Sequence, residues 1–152
     1  MTNENRIGQR RGKVSELTVI APLVPGGAEK LRAVIAGSTI NGFEALDGIG
    51  TVHDARFTFL DNDTRILFAT TYDGDWDTYI DDFATKIPDI MDLLFSVVEG
   101  WPGMRSPEVK DFIAASQIPA HAWYTAYDAT VSEVRKGLKA KNALDELLDQ
   151  AG

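Results

Sequence analysis

The chain has 152 residues, enough for one ordinary domain and too few for two. Its 44% hydrophobic and 25% charged residues exclude a disordered chain, and the lack of cysteine excludes a disulfide framework, thiolate chemistry and cysteine-ligated metal. Net charge is −8, yet residues 1–13 hold Arg6, Arg10, Arg11 and Lys13 against Glu4, a local +3 that leaves the remaining 139 residues at −11. A body that acidic repels phosphate backbones and speaks against nucleic-acid binding. No apolar run approaches the roughly 20 residues needed to span a bilayer, and the amino terminus is polar where a secretory signal is apolar. The expectation is a cytoplasmic protein with a flexible basic arm over residues 1–13.

In chain order, Ser15 to Ala21 alternates as a first strand, with Leu17, Val19 and Ala21 on one face. Pro25-Gly26-Gly27 opens a helix in which Ala28, Leu31, Val34 and Ile35 recur at helical spacing. Residues 38–50 form a Gly/Asn-rich connection with Phe43, Leu46 and Ile49 as expected anchors. Val52 to Leu60 reads as a second strand with His53, Ala55, Phe57 and Phe59 on one face and Asp54, Arg56, Thr58 and Leu60 on the other. Asp61-Asn62-Asp63-Thr64 turns it into a third strand from Arg65 to Tyr72. Asp73-Gly74-Asp75 then stops the strand and offers an N-cap to a helix carrying Trp76, Ile80, Phe83 and Ile87, which restarts at Pro88. Glu99 to Gly103 is a turn, Pro107 to Ala115 a short helix, and Ala120 to Tyr127 a fourth strand. Helical spacing resumes at Val131, Val134 and Leu138, ending the expected domain at residues 14–138. Residues 139–152 form a C-terminal helix whose stripe of Ala143, Leu144, Leu147 and Leu148 needs something to pack against.

The order predicts an α+β, ferredoxin-like βαββαβ fold: an antiparallel sheet of order 4-1-3-2 with helices on one face. The other face, with Glu16, Thr18, Ile20, Arg56, Thr58 and Leu60, is too apolar for an ordinary wet surface and predicts a homodimer.

The chemistry-bearing residues are few. Asp73-Gly74-Asp75-Trp76-Asp77 has the alternation of a calcium loop but Thr78 and Ala84 where that loop needs Gly and Glu, so capping is the better reading. Residues 73–92 carry a net −6, a solvated helix face or a dock for a basic partner. His53 packs at a strand entry, ligates heme iron or a divalent metal, or serves as a base near neutral pH. His121 stands among Trp123 and Tyr124, a pattern that suits an aromatic-lined site or a dimer contact. No Gly-x-Ser-x-Gly elbow, dinucleotide fingerprint or Walker lysine is present, which disfavours triad, NAD and ATP chemistry.

The run Ala21-Pro22-Leu23-Val24-Pro25-Gly26 feeding an amphipathic helix resembles the opening of the dimeric α/β-barrel superfamily, in which two ferredoxin-like subunits press their open sheet faces together. His53-Asp54-Ala55-Arg56-Phe57, Arg65-Ile66-Leu67-Phe68, Tyr72-Asp73-Gly74-Asp75-Trp76 and Glu99-Gly100-Trp101-Pro102-Gly103 resemble blocks shared by a group of uncharacterised bacterial single-domain proteins, which carry an aromatic where Asp54 stands. The superfamily includes cofactor-free monooxygenases, small-molecule isomerases and heme-binding peroxidases. The resemblance implies a protein that binds a small hydrophobic or aromatic compound, heme among the candidate cofactors, and supports an oxidoreductase reaction of the peroxidase or monooxygenase type. Candidate catalytic residues are His53, Arg56 and His121, with His53 also the metal ligand. Thr58, Thr70, Tyr72, Trp123 and Tyr124 are candidate ligand-binding residues. The alternative is a non-catalytic assembly or interaction module.

Overall fold

The computed structural model describes residues 7–37 and 44–152, so residues 1–6 of the expected basic arm and the anchor Phe43 lie outside the described residues. Alternating strands and amphipathic helices give an α+β chain in the order β1 (Arg10–Arg11), β2 (Val14–Pro22), α1 (Gly27–Ala36), β3 (Val52–Leu60), β4 (Arg65–Asp73), α2 (Trp76–Lys86), α3 (Pro88–Phe95), α4 (Val109–Ser116) and α5 (Val131–Ala151). The four strands make one antiparallel sheet of order β1-β2-β4-β3, compatible with a ferredoxin-like fold. No helix among the described residues is long and apolar enough to cross a membrane.

Side chains alternate across a strand, so the register decides which residues meet the helices. Leu17, Val19 and Ala21 of β2 and Ile66 and Phe68 of β4 are buried with Leu31 of α1, Ile80 and Phe83 of α2, Met91 and Phe95 of α3 and Ile113 of α4. Phe57 joins them from β3, its ring 5.2 Å from Phe68 and 5.5 Å from Phe95. Trp101, from the turn, stacks on Phe95 at 5.2 Å and meets Phe112 edge-on at 5.7 Å. The restart expected at Pro88 occurs: α2 ends at Lys86 and Pro88 opens α3, where its missing N–H costs nothing.

The expected fourth strand is corrected. Residues 120–127 form no strand; they cross the structure as an irregular strap. The outer edge of β2 is instead sealed by three short pieces. Arg10–Arg11 pair with Val14 and Ser15, Gln117 bridges Val19 while Ile118 N–H donates to Thr18, and Val98 bridges Leu23. A long edge that could template pairing with another chain is thereby closed piecemeal.

Residues 8–13, which fall within the expected basic arm, make defined contacts with β2 and the strap. Gly8 and Gly12 have φ of +70° and +62°, values open to glycine at little cost, and they fold residues 8–13 back along β2. The segment clasps the strap. Arg11 Nη1 donates to Trp123 O at 2.6 Å, Lys13 N–H donates to Asp128 at 2.8 Å, and Gln9 Nε2 donates to Ala120 O.

Helix α5 runs unbroken through the boundary expected at residue 138. Thr130 and Glu133 close a reciprocal capping box at its start, and Lys13 pairs with Glu133 at 2.9 Å. Only Val131 is buried and Val134 half-buried; every residue from Arg135 to Ala151 is exposed.

Candidate functional site

The second correction concerns His53. Regular alternation would put it beside Phe57 on the helix-covered face. In the structure Val52 pairs with Tyr72 while Asp54 pairs with Thr71, so one extra residue of β3 sits between consecutive partners. This bulge takes His53 out of step and delivers it to the open face beside Asp54, Thr71 and Asp73. There its Nε2 meets Asp73 Oδ1 at 2.6 Å, and the two side chains are only 18% and 10% exposed. Asp73 Oδ2 accepts the Val131 N–H at 2.8 Å, so the carboxylate is held from both sides, by the imidazole and by the first turn of α5. A carboxylate accepts and does not donate, so in the neutral ring the proton sits on Nε2 and Nδ1 carries the lone pair.

The strap completes the site. Val14, His53, Asp54 and Thr71 from the strands and Trp123 to Tyr127 from the strap line a cleft of about 300 Å³. That is the lower end of the range for small-molecule sites, roughly 300–1,000 Å³. Tyr124 and Tyr127 are 81% and 62% exposed, an unusual display of aromatic surface at a mouth. The strap's path is fixed beneath by Glu16, which is buried and accepts the Ala120 N–H at 2.6 Å through Oε1. Its Oε2 is buried with no hydrogen-bond partner among the described residues.

Of the residues singled out in the sequence, the structure brings together His53, Trp123 and Tyr124. Arg56 and Thr58 lie on the same open face, opposite Ala69 and Leu67, and continue β3 away from the cleft. Arg56 is one side-chain repeat from Asp54, within reach of an anionic group at the cleft mouth. His121 is exposed on the strap and does not line the cleft. Thr70 and Tyr72 are fully buried behind the sheet, away from the cleft. Thr70 Oγ donates to Asp54 O at 3.0 Å and accepts from the Tyr79 hydroxyl at 2.7 Å, and the Tyr72 and Tyr79 rings stack at 3.8 Å. Burial pushes both phenols well above their ordinary titration range, which keeps them protonated donors. They back the site; they do not line it.

Asp73 and Glu16 were missed as site residues. Asp73 reads locally as a strand-stop residue or a helix N-cap, and the structure gives the capping role to Asp75, which accepts the Thr78 N–H at the start of α2. Its true partners are 20 and 58 positions away and leave no local pattern. The other acids of residues 73–92 are engaged within the chain. Lys110 spans Asp77 and Asp81, Arg105 holds Asp89, Lys86 holds Asp82, and Asp92 accepts from Trp101 Nε1 and Met104 N–H.

Two expected placements of a ligand fit poorly. Between the sheet and its helices lies a wholly apolar cavity of only about 30 Å³, far below the size of an organic ligand. Heme ligation by His53 meets the bonded Nε2; the remaining Nδ1 adjoins the ring's own attachment to Cβ, which a planar porphyrin cannot approach face-on. No group of three or more metal-ligating side chains occurs among the described residues. No protein-family model, curated protein or solved structure matches the chain.

Proposed function

We propose that this chain binds a small, partly aromatic molecule carrying a weakly acidic proton, in the open-face cleft between His53 and the strap. The observation that carries the reading is the convergence, in one cleft of about 300 Å³, of an imidazole buttressed by a buried carboxylate and a row of aromatic side chains. Aromatic walls supply apolar contact with polar tips, and the imidazole supplies one directional acceptor. His53 Nδ1 takes the ligand's proton or hydrogen bond, Asp73 stabilises the imidazolium that forms, and Arg56 attracts an anionic substituent. The reaction class, taken from the resemblance to the dimeric α/β-barrel superfamily, is oxidation of an aromatic compound by dioxygen without heme. One oxygen atom enters the compound and the other leaves as water with the two hydrogens the compound gives up.

That resemblance also supplies a homodimer. Ile20 and Leu67 are half-buried partners across the β2–β4 ladder, flanked by Thr18, Thr58 and Leu60, on the sheet face that the helices leave uncovered. Two copies stacked there would form the barrel, with the cleft at its rim. A second reading, a non-catalytic interaction module, draws on the exposed Tyr124 and Tyr127.

The test is calorimetric binding of a fragment set in which each phenol or enol has its methyl-ether counterpart. The proposal expects the acidic member of a pair to bind at least tenfold tighter, and His53→Gln to abolish the difference. Equal affinity for both members, unchanged in His53→Gln, would favour the interaction module.

A further inference from the structure

Helix α5 docks with one face and displays another. Val131 and Val134 face the body, and along their row, continued by Leu138 at helical spacing, exposure rises from 6% at Val131 to 53% at Leu138. A separate seam begins beyond it. Gly137, Ala140, Leu144, Leu147 and Ala151 alternate steps of three and four, the spacing of a two-helix seam, with Leu148 beside them. At 100° per residue this seam is centred roughly a quarter-turn or more from the docking row, so the helix that is fixed by its first turn cannot lay the seam on its own subunit. Leu144, Leu147 and Leu148 are 54%, 62% and 59% exposed. A solvated segment of this length is marginal as an isolated helix, which calls for a covering partner.

We propose that the partner is a second copy of this chain, with the two α5 helices paired antiparallel about Leu144. Antiparallel pairing about Leu144 sets Ala140 of each helix against Leu148 of the other, small against large on both sides of the axis, and Gly137 against Ala151 at the ends. Charge chooses the same orientation. A parallel pair would set Lys136 of one helix beside Lys141 of the other, since the two flank opposite sides of the seam five residues apart, whereas the antiparallel pair separates them and leaves Lys141 with its intrahelical partner Asp145 at 2.6 Å. This contact is independent of the cleft and of the sheet-to-sheet contact.

The chain's lack of cysteine makes the test clean. Leu144→Cys and Lys136→Cys, each in the full chain, are oxidised at equal concentration, and the wild type is followed by sedimentation from 1 to 200 μM. The proposal expects concentration-dependent dimerisation, fast disulfide dimer from Leu144→Cys, and at least tenfold slower cross-linking from Lys136→Cys. Leu144→Glu/Leu147→Glu should shift the dimer midpoint upward at least tenfold while Leu67→Arg, on the sheet face, leaves the Leu144→Cys cross-link intact. A monomer at 200 μM, equal cross-linking of the two cysteine variants, or a dimer unaffected by Leu144→Glu/Leu147→Glu would overturn it.

Discussion

Replacing Asp73 by asparagine separates the carboxylate's structural role from its chemical one. Asp73 accepts from His53 Nε2 at 2.6 Å and from the Val131 N–H at 2.8 Å. Asparagine has nearly the same shape but one acceptor and one donor end. Its oxygen can keep the Val131 N–H, while its amide then donates to His53 Nε2, which must give up its proton to accept. The ring changes tautomer, from Nε2–H to Nδ1–H, and the lone pair available to a ligand is lost. Exchanging two charge-assisted hydrogen bonds for two neutral ones costs about 1–2 kcal/mol, or on the order of 2–8 °C in melting temperature for a chain of this size. Asp73→Ala, which leaves both donors without their acceptor, costs about 3 kcal/mol or more. Nitrogen-15 spectra of the His53 ring read the tautomer directly. A wild-type ring already protonated on Nδ1, or an Asp73→Asn ring that keeps Nε2–H, would refute the assignment of His53 as the site's acceptor.

Other expectations bear on the scaffold. Gly8→Ala places a Cβ 1.8 Å from the Glu16 carbonyl oxygen at a φ of +70°, so it should destabilise by about 2 kcal/mol or more and loosen the strap, measured by urea denaturation and by amide exchange at Ala120. Thr70→Val keeps the shape but strands the Tyr79 hydroxyl and the Asp54 carbonyl, at a cost of about 1–3 kcal/mol, whereas Tyr79→Phe should cost about 1 kcal/mol; equal effects would contradict the donor assignment. The Thr130 backbone amide and then Lys13 lower the Glu133 carboxyl to about 2 from 4.5. Because the folded value lies below the unfolded one, this stabilisation is complete above pH 4.5 and is lost as pH falls toward 2. Melting curves across that interval should therefore flatten in Glu133→Gln.

The parts of the fold legible in the sequence are those fixed by period. Leu17, Val19 and Ala21, or Ile80 and Phe83, announce their buried faces through local spacing, and the antiparallel order of β2, β3 and β4 follows from a short hairpin and a helical crossover. His53 was misplaced because a bulge has no compositional mark here: nothing in Val52-His53-Asp54 says that one residue will slip the ladder. Residues 120–127 alternate like a strand, but the β2 edge they would need is already taken by residues 9–11 and 117–118, a competition settled only in three dimensions. The aromatic half of the site was legible because Trp123 and Tyr124 cluster in sequence. The carboxylate half was not, because Asp73 reaches His53 and Val131 across long loops.

A fragment titration read at two atoms at once shows whether His53 and the strap form one ligand site. Ring nitrogens of His53 and the indole nitrogen of Trp123 are followed by NMR as a phenolic fragment is added. If His53 and the strap form one site, both sets of signals move with a single dissociation constant, Tyr124→Ala weakens binding, and His53→Ala removes the Trp123 response. Fragments that move Trp123 while leaving His53 still, or that bind with unchanged affinity in His53→Ala, would contradict a single site.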